Sequence, residues 1–177
     1  FHIVALGDIV LDRAKKSLIK AGFSEDQICY DLDKAMSSRG TWITEDGAAI
    51  SKIEQLDVLV EATGDPESGV LHSLNAFNNS TSVVLVTVEA DVLCGPMLAK
   101  KAHENGVVLS MAYGDQPALI CELIDKVRVS GFEIVCAGKG TKYLPEYHES
   151  TPNKVWDFYG LSKEEALEGN LNPKMFN

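Results

Sequence analysis

The sequence predicts an α/β protein, a Rossmann-like doubly wound parallel sheet followed by the start of a catalytic domain. Three observations predict it. One unit, an apolar strand followed by a polar loop and an amphipathic helix, occurs three times in succession. Its strands, Val58-Leu59-Val60, Val83-Val84-Leu85-Val86 and Val107-Val108-Leu109, are continuous apolar runs, as buried parallel strands are. Its loops, Thr63-Gly64-Asp65-Pro66, Cys94-Gly95-Pro96 and Gly114-Asp115-Gln116-Pro117, each bring a proline to the start of a helix. Proline fits there because the N–H it lacks would be unpaired anyway. Repeated strand-to-helix units fold as a parallel sheet flanked by helices. Ligands bind such sheets beyond the carboxyl ends of the strands, where these loops lie.

The elements follow in order. Residues 2–6 read as a strand, and Leu11, Ala14, Leu18 and Ala21 fall at helical spacing before a Gly22 stop. A short strand is expected at 27–30. Residues 31–57 read as polar and irregular, with a helix near 48–53. The three repeated units come next. Their helices carry Val70, Leu71, Leu74 and Phe77, then Met97, Leu98 and Ala102, then Leu119, Ile120, Leu123, Ile124 and Val127. Each stripe is expected to face the core. Asp65 and Asp115 are placed to cap the helices that follow them. A further strand is expected at 133–137. From Gly138 onward periodicity fades and aromatic and polar residues mix, so a boundary is placed there. Residues 1–137 form the nucleotide-binding domain and 138–177 begin a substrate-facing one.

Composition narrows the function. The 177 residues are 45% hydrophobic and carry a formal net charge of -10, which argues against a nucleic-acid surface or a polybasic membrane anchor. It leaves room for phosphate-bearing small ligands, held by local N–H groups and cations. No apolar run is long enough to span a bilayer and nothing resembles a signal peptide. Cys29, Cys94, Cys121 and Cys136 form no C-x-x-C pair and are expected to be reduced, buried thiols of a cytoplasmic protein. His2, His72, His103 and His148 show no metal-ligand spacing, and no metal is expected.

Asp8 follows the first strand. An acidic residue there is what a dinucleotide fold uses on the adenosine ribose, whose hydroxyls donate to the carboxylate; capping of the next helix is the competing role. Arg13, about a turn further on, is within reach of a 2′-phosphate, or is an ordinary exposed helix arginine. In the dinucleotide fold this strand is the second. A first strand with a glycine-rich turn is expected upstream, and the two ends read as cuts through a longer protein. No G-x-G-x-x-G occurs in the sequence.

Asp57-Val58-Leu59-Val60-Glu61-Ala62-Thr63-Gly64 resembles the strand and turn that homoserine dehydrogenases place beside the nicotinamide ribose. Val86-Thr87-Val88-Glu89-Ala90-Asp91, Ala112-Tyr113-Gly114-Asp115-Gln116-Pro117 and Gly138-Lys139-Gly140-Thr141-Lys142-Tyr143 are more specific. Together they resemble homoserine-dehydrogenase-like oxidoreductases that include the 1-deoxy-D-xylulose 5-phosphate reductoisomerase-like enzymes, from Asp8 to Phe176. The resemblance implies a nucleotide-binding N-terminal domain followed by a catalytic domain, with NADP or NAD as cofactor; Thr63 and Gly64 then join Asp8 and Arg13 as the expected cofactor-binding residues. It departs from the family pattern in lacking the glycine-rich turn and the rest of the catalytic domain.

Hydride transfer to a carbonyl develops charge on oxygen, which a lysine ammonium can stabilise. Lys139 and Lys142 lie in a glycine-flanked segment where the backbone can approach a ligand closely; solvated loop lysines are the alternative. Glu89 and Asp115 follow strands and are expected at the ligand edge, orienting substrate or nicotinamide ribose, with capping of the next segment as the competing role. Glu61 falls inside a strand; if buried it must be paired or protonated. The leading reading is an NAD(P)-dependent oxidoreductase acting on a small polar carbonyl or hydroxy substrate. The alternatives are a reductoisomerase acting on a phosphorylated sugar and a dinucleotide-sensing module without turnover. Oligomeric state stays open.

Overall fold

The computed structural model describes residues 1–114, 116–138 and 144–168. These divide into two compact units, 1–121 and 122–177. Asp115, Lys139 and Lys142 lie outside the described residues.

The first unit holds six strands in two parallel three-stranded sheets. The first sheet takes the order β1 (Ala5–Gly7), β3 (Thr41–Thr44), β2 (Ile28–Cys29), and the second runs β4 (Val58–Glu61), β5 (Ser82–Leu85), β6 (Leu109–Met111). Helix α1 (Leu11–Lys20) leads from β1, α2 (Leu32–Ser38) from β2 and α3 (Gly47–Ile50) from β3; α4 (Pro66–Asn78), α5 (Val88–Glu104) and α6 (Gln116–Val129) follow β4, β5 and β6. Every strand is thus followed by a helix and every pairing is parallel, as a Rossmann-like α/β architecture requires.

The local reasons are visible residue by residue. Leu11, Ala14 and Leu18 of α1 pack with Leu6, Ile28, Ile43 and Phe23 as the core of the first sheet. In the second, Ala76 and Phe77 of α4 and Leu98 and Ala102 of α5 close over Val83, with Leu59 and Leu109 beside it. Leu59, Val83 and Leu109 share one register row and so face the same side. Asp65 caps α4 by accepting from the Ser68 N–H at 2.8 Å, with Pro66 in the first turn.

Several expectations are corrected. Residues 31–57 hold more than the helix expected near 48–53, which is found as α3: they also contain α2 and β3. The Asp31 side chain caps α2 and Asp46 caps α3. Thr41-Trp42-Ile43-Thr44 pairs on both sides as the central strand, as its β-branched and aromatic residues suit. The third apolar strand is shifted to Leu109–Met111, with Val107 just before it packed against the same core as Leu109. α5 begins at Val88, before the Cys94-Gly95-Pro96 loop, and kinks at Cys94 (φ -154, ψ 29). The kink puts Pro96 in the first turn of the second half, where its ring and missing N–H cost little. No strand forms at 133–137, and Val135 is fully exposed: among the described residues no neighbouring strand offers its backbone a partner. Leu71, Met97, Leu119 and Leu123 are exposed, so those stripes face the core only in part. Of the cysteines, Cys29 alone is fully buried; Cys94 is half-buried, Cys121 and Cys136 are exposed, and all four are free.

Val58 and Val60 of β4 lie on the face away from Leu59, 49% and 62% exposed. Helices α4 and α5 therefore cover one face of the second sheet. The outer edges of β1 and β4 pair with no other strand among the described residues.

The second unit includes the short helices α7 (Val155–Tyr159) and α8 (Lys163–Glu168). Val155, Trp156 and Ala166 form its small core, with Leu161 against them. Tyr147 meets Phe158 edge-on at 4.8 Å between ring centroids. No helix among the described residues is long and apolar enough to cross a membrane.

Candidate functional site

The carboxyl ends of the strands carry two clusters. The first lies at the end of β1. The Asp8 backbone N–H donates to the Thr44 carbonyl at 3.0 Å, which continues the β1–β3 ladder one residue beyond the strand. Its carboxylate is gripped by Arg13 through two bonds of 2.6 Å, Nε to Oδ2 and Nη2 to Oδ1. The Val10 N–H donates to Oδ1 at 2.8 Å. The Arg13 hydrogen bond is the main reason the Asp8 carboxyl lies below its ordinary range; partial burial opposes this, and the Val10 N–H adds to it. Asp8 is therefore an ionised acceptor at a strand end. Arg13 pairs with it instead of pointing away as an ordinary surface arginine. Both roles expected at the first βα turn, ribose acceptor and cation, fall on one ion pair.

The second cluster is built on the turn after β4. Gly64 has φ 70, a left-handed conformation that favours glycine. Four successive hydrogen bonds fasten the turn. The Thr63 N–H and hydroxyl donate to Glu61 Oε1 at 3.3 and 2.7 Å. The Gly64 N–H donates to the Thr87 hydroxyl at 3.1 Å, and the Asp65 N–H to the Thr63 hydroxyl at 3.3 Å. The N–H groups of residues 63–65 are thus all engaged within the protein. Phosphate cradles need free N–H groups, so this turn is suited to an uncharged part of a ligand.

Beneath the turn lies Glu61, 2% exposed. Its Oε1 also meets Nδ1 of His72 at 3.4 Å. Its Oε2 has no hydrogen-bond partner. A Cβ built on Gly69 would stand 3.3 Å from that oxygen and 2.8 Å from the Ala90 Cβ, so glycine there lets α4 close over the carboxylate. Burial is the largest single influence on Glu61 and pushes its carboxyl up. The contacts of His72, Thr87 and Thr63 together outweigh it, and the carboxyl ends below its ordinary range. A carboxyl lowered on folding adds stability that is present above its unfolded value of 4.5 and is lost as pH falls through the lower folded value. Thermal unfolding measured against pH should therefore show Glu61→Gln losing less stability than wild type on acidification below pH 4.5. Parallel curves would contradict this assignment.

The structure thus brings Asp8 and Arg13 together, and separately Thr63 and Gly64. No described hydrogen bond joins the two pairs. Glu89 sits exposed in the first turn of α5, two residues beyond Thr87; it lies at the expected edge, on a helix already begun. Sequence reasoning missed His72 and Thr87. His72 reads as a lone histidine on an amphipathic helix, and Thr87 as the polar end of an apolar strand. The available signal was Glu61, a carboxylate in an apolar strand that needs partners.

Residues 114–177 match the family model described as "Oxidoreductase DRL, catalytic domain". No curated protein matches the chain. The family match supports an oxidoreductase, and its span contains Asp115, Lys139 and Lys142.

Proposed function

We propose that the protein is an NAD(P)-dependent oxidoreductase of homoserine-dehydrogenase-like type, acting in the cytoplasm on a small polar carbonyl or hydroxy compound. The observation that carries the cofactor half is the ionised Asp8 at the end of a parallel strand, held in a bidentate pair by Arg13. Its oxygens can accept from the ribose hydroxyls of the adenosine, and Arg13 is the cation that a 2′-phosphate would meet. The Thr63–Gly64 turn, with its N–H groups engaged, suits the uncharged nicotinamide ribose. The reading also requires a glycine-rich pyrophosphate turn. The unpaired edge of β1, beside Asp8, is where a strand carrying one would pair.

The residues present fit such a cofactor. The bound nicotinamide would supply the hydride, and the protein's own groups do the rest. Asp8, Arg13, Thr63 and Gly64 bind and orient. Lys139 and Lys142 stabilise the developing charge on the substrate oxygen, and Glu89 and Asp115 orient the substrate.

Asp8→Asn tests the cofactor assignment. It should weaken NAD binding by about 1–3 kcal/mol, the scale of a charged hydrogen bond. NADP should lose less, because its 2′-phosphate repels the wild-type carboxylate and meets an Arg13 released from Asp8. Fluorescence titration with both dinucleotides reads the result. Unchanged affinity for both would remove Asp8 from the site.

A further inference from the structure

Glu61 and His72 make contacts that the proposed cofactor and substrate roles do not use. Three hydrogen bonds reach Oε1 of the carboxylate, two from Thr63 and one from His72, and the Thr87 side chain adds a further contact. The imidazole in turn lies against α3: a Cβ on Gly47 would stand 2.8 Å from its Cε1. At its other end α3 packs on the first sheet, where a Cβ on Gly7 would stand 3.0 Å from Ile50 Cδ1. Gly7 immediately precedes Asp8. A continuous path therefore runs from the Thr63–Gly64 turn through Glu61, His72 and α3 to the residue before Asp8. It joins the carboxyl edges of the two sheets, which share no strand pairing.

We propose that Glu61 and His72 are positioning residues that fix the Thr63–Gly64 turn and lock it, through α3, to the strand end bearing Asp8. The proposal rests on the assignment of both strand ends to one dinucleotide. A ligand that spans two strand ends binds well only if their separation is set beforehand, and a path hydrogen-bonded at Glu61 and tightly packed from His72 through α3 to Gly7 sets it without touching the ligand. Burial of Glu61 makes that end of the path stiff, because a buried carboxylate left with its donors removed is costly.

Amide hydrogen exchange at Thr63 and Gly64, with NADH and NADPH titrations alongside, tests this. Glu61→Leu removes the acceptor and should speed exchange of both amides about tenfold or more. Glu61→Gln keeps an oxygen at Oε1 and should stay near wild type. His72→Leu should loosen the turn, whereas His72→Asn, whose side-chain N–H can take the place of Nδ1–H, should restore it. Gly47→Ala should act like His72→Leu by displacing the ring. Dinucleotide affinity should fall in the variants that loosen the turn and in no others. Unchanged turn exchange in both Glu61→Leu and Gly47→Ala would overturn the proposal. So would equal acceleration at Val83 and Leu85 in β5, which marks general loosening. If Glu61→Leu fails to fold, the His72 and Gly47 variants decide. Wild-type protein that binds neither dinucleotide would sink the cofactor assignment alone, since the exchange data still decide whether the path holds the turn.

Discussion

Replacing Lys139 or Lys142 by methionine is expected to lower kcat by about two to three orders of magnitude, the scale of a lost oxyanion donor. A positive group that meets charge developing on the substrate oxygen acts mainly in the transition state. Its loss should therefore reduce kcat far more than it raises KM. Methionine keeps the length of the side chain and removes the charge. Dinucleotide affinity should hardly change, because the proposed cofactor residues lie just after β1 and β4. Steady-state turnover paired with cofactor titration separates the two effects. Near-normal turnover in both single variants and in the double variant would leave these lysines as solvated loop residues. Glu89 and Asp115 would then be the polar groups to examine.

Phe77→Ala is expected to destabilise the first unit by about 3–5 kcal/mol, the cost of deleting a buried aromatic side chain. Phe77 is 1% exposed and packs in the cluster where α4 and α5 close over Val83. Its surroundings are backbone-fixed strand and helix residues, so the cavity cannot collapse fully. The same helix carries His72 and begins at the Asp65 cap. Loss of its packing should therefore lower dinucleotide affinity as well as the thermal midpoint. A denaturant titration giving a loss under about 1 kcal/mol would mean that Phe77 is not the keystone its burial implies.

The fold was largely legible in the sequence because its main signals are local. The three apolar runs, the Asp65-Pro66 start and the Gly22 stop each depend on a few neighbouring residues. Where long-range pairing decides, legibility fails. Thr41-Trp42-Ile43-Thr44 is a strand because β1 and β2 flank it, and 133–137 is not one because no strand flanks it among the described residues. The α5 kink depends on Cys94 adopting an unusual backbone conformation ahead of Pro96, which no spacing reveals. The site divides the same way. Asp8 and Arg13 are five residues apart, and their strand-then-helix context already brings them within reach. Glu61, His72 and Thr87 come from a strand, the helix after it and the end of the next strand, so only the packed structure assembles them. Asp115, Lys139 and Lys142 lie outside the described residues, and their roles rest on residue chemistry and the family resemblance.

The most direct test of the oxidoreductase reading is consumption of reduced nicotinamide by the protein across a panel of small polar carbonyl compounds, phosphorylated and unphosphorylated, with NADH and NADPH in parallel. At least one carbonyl should be reduced with saturation kinetics, and the Lys139→Met/Lys142→Met double variant should lose that activity while still binding the dinucleotide. Saturable dinucleotide binding with no turnover of any carbonyl, and none of the matching alcohols in the reverse direction, would contradict an enzyme and leave a dinucleotide-binding sensor.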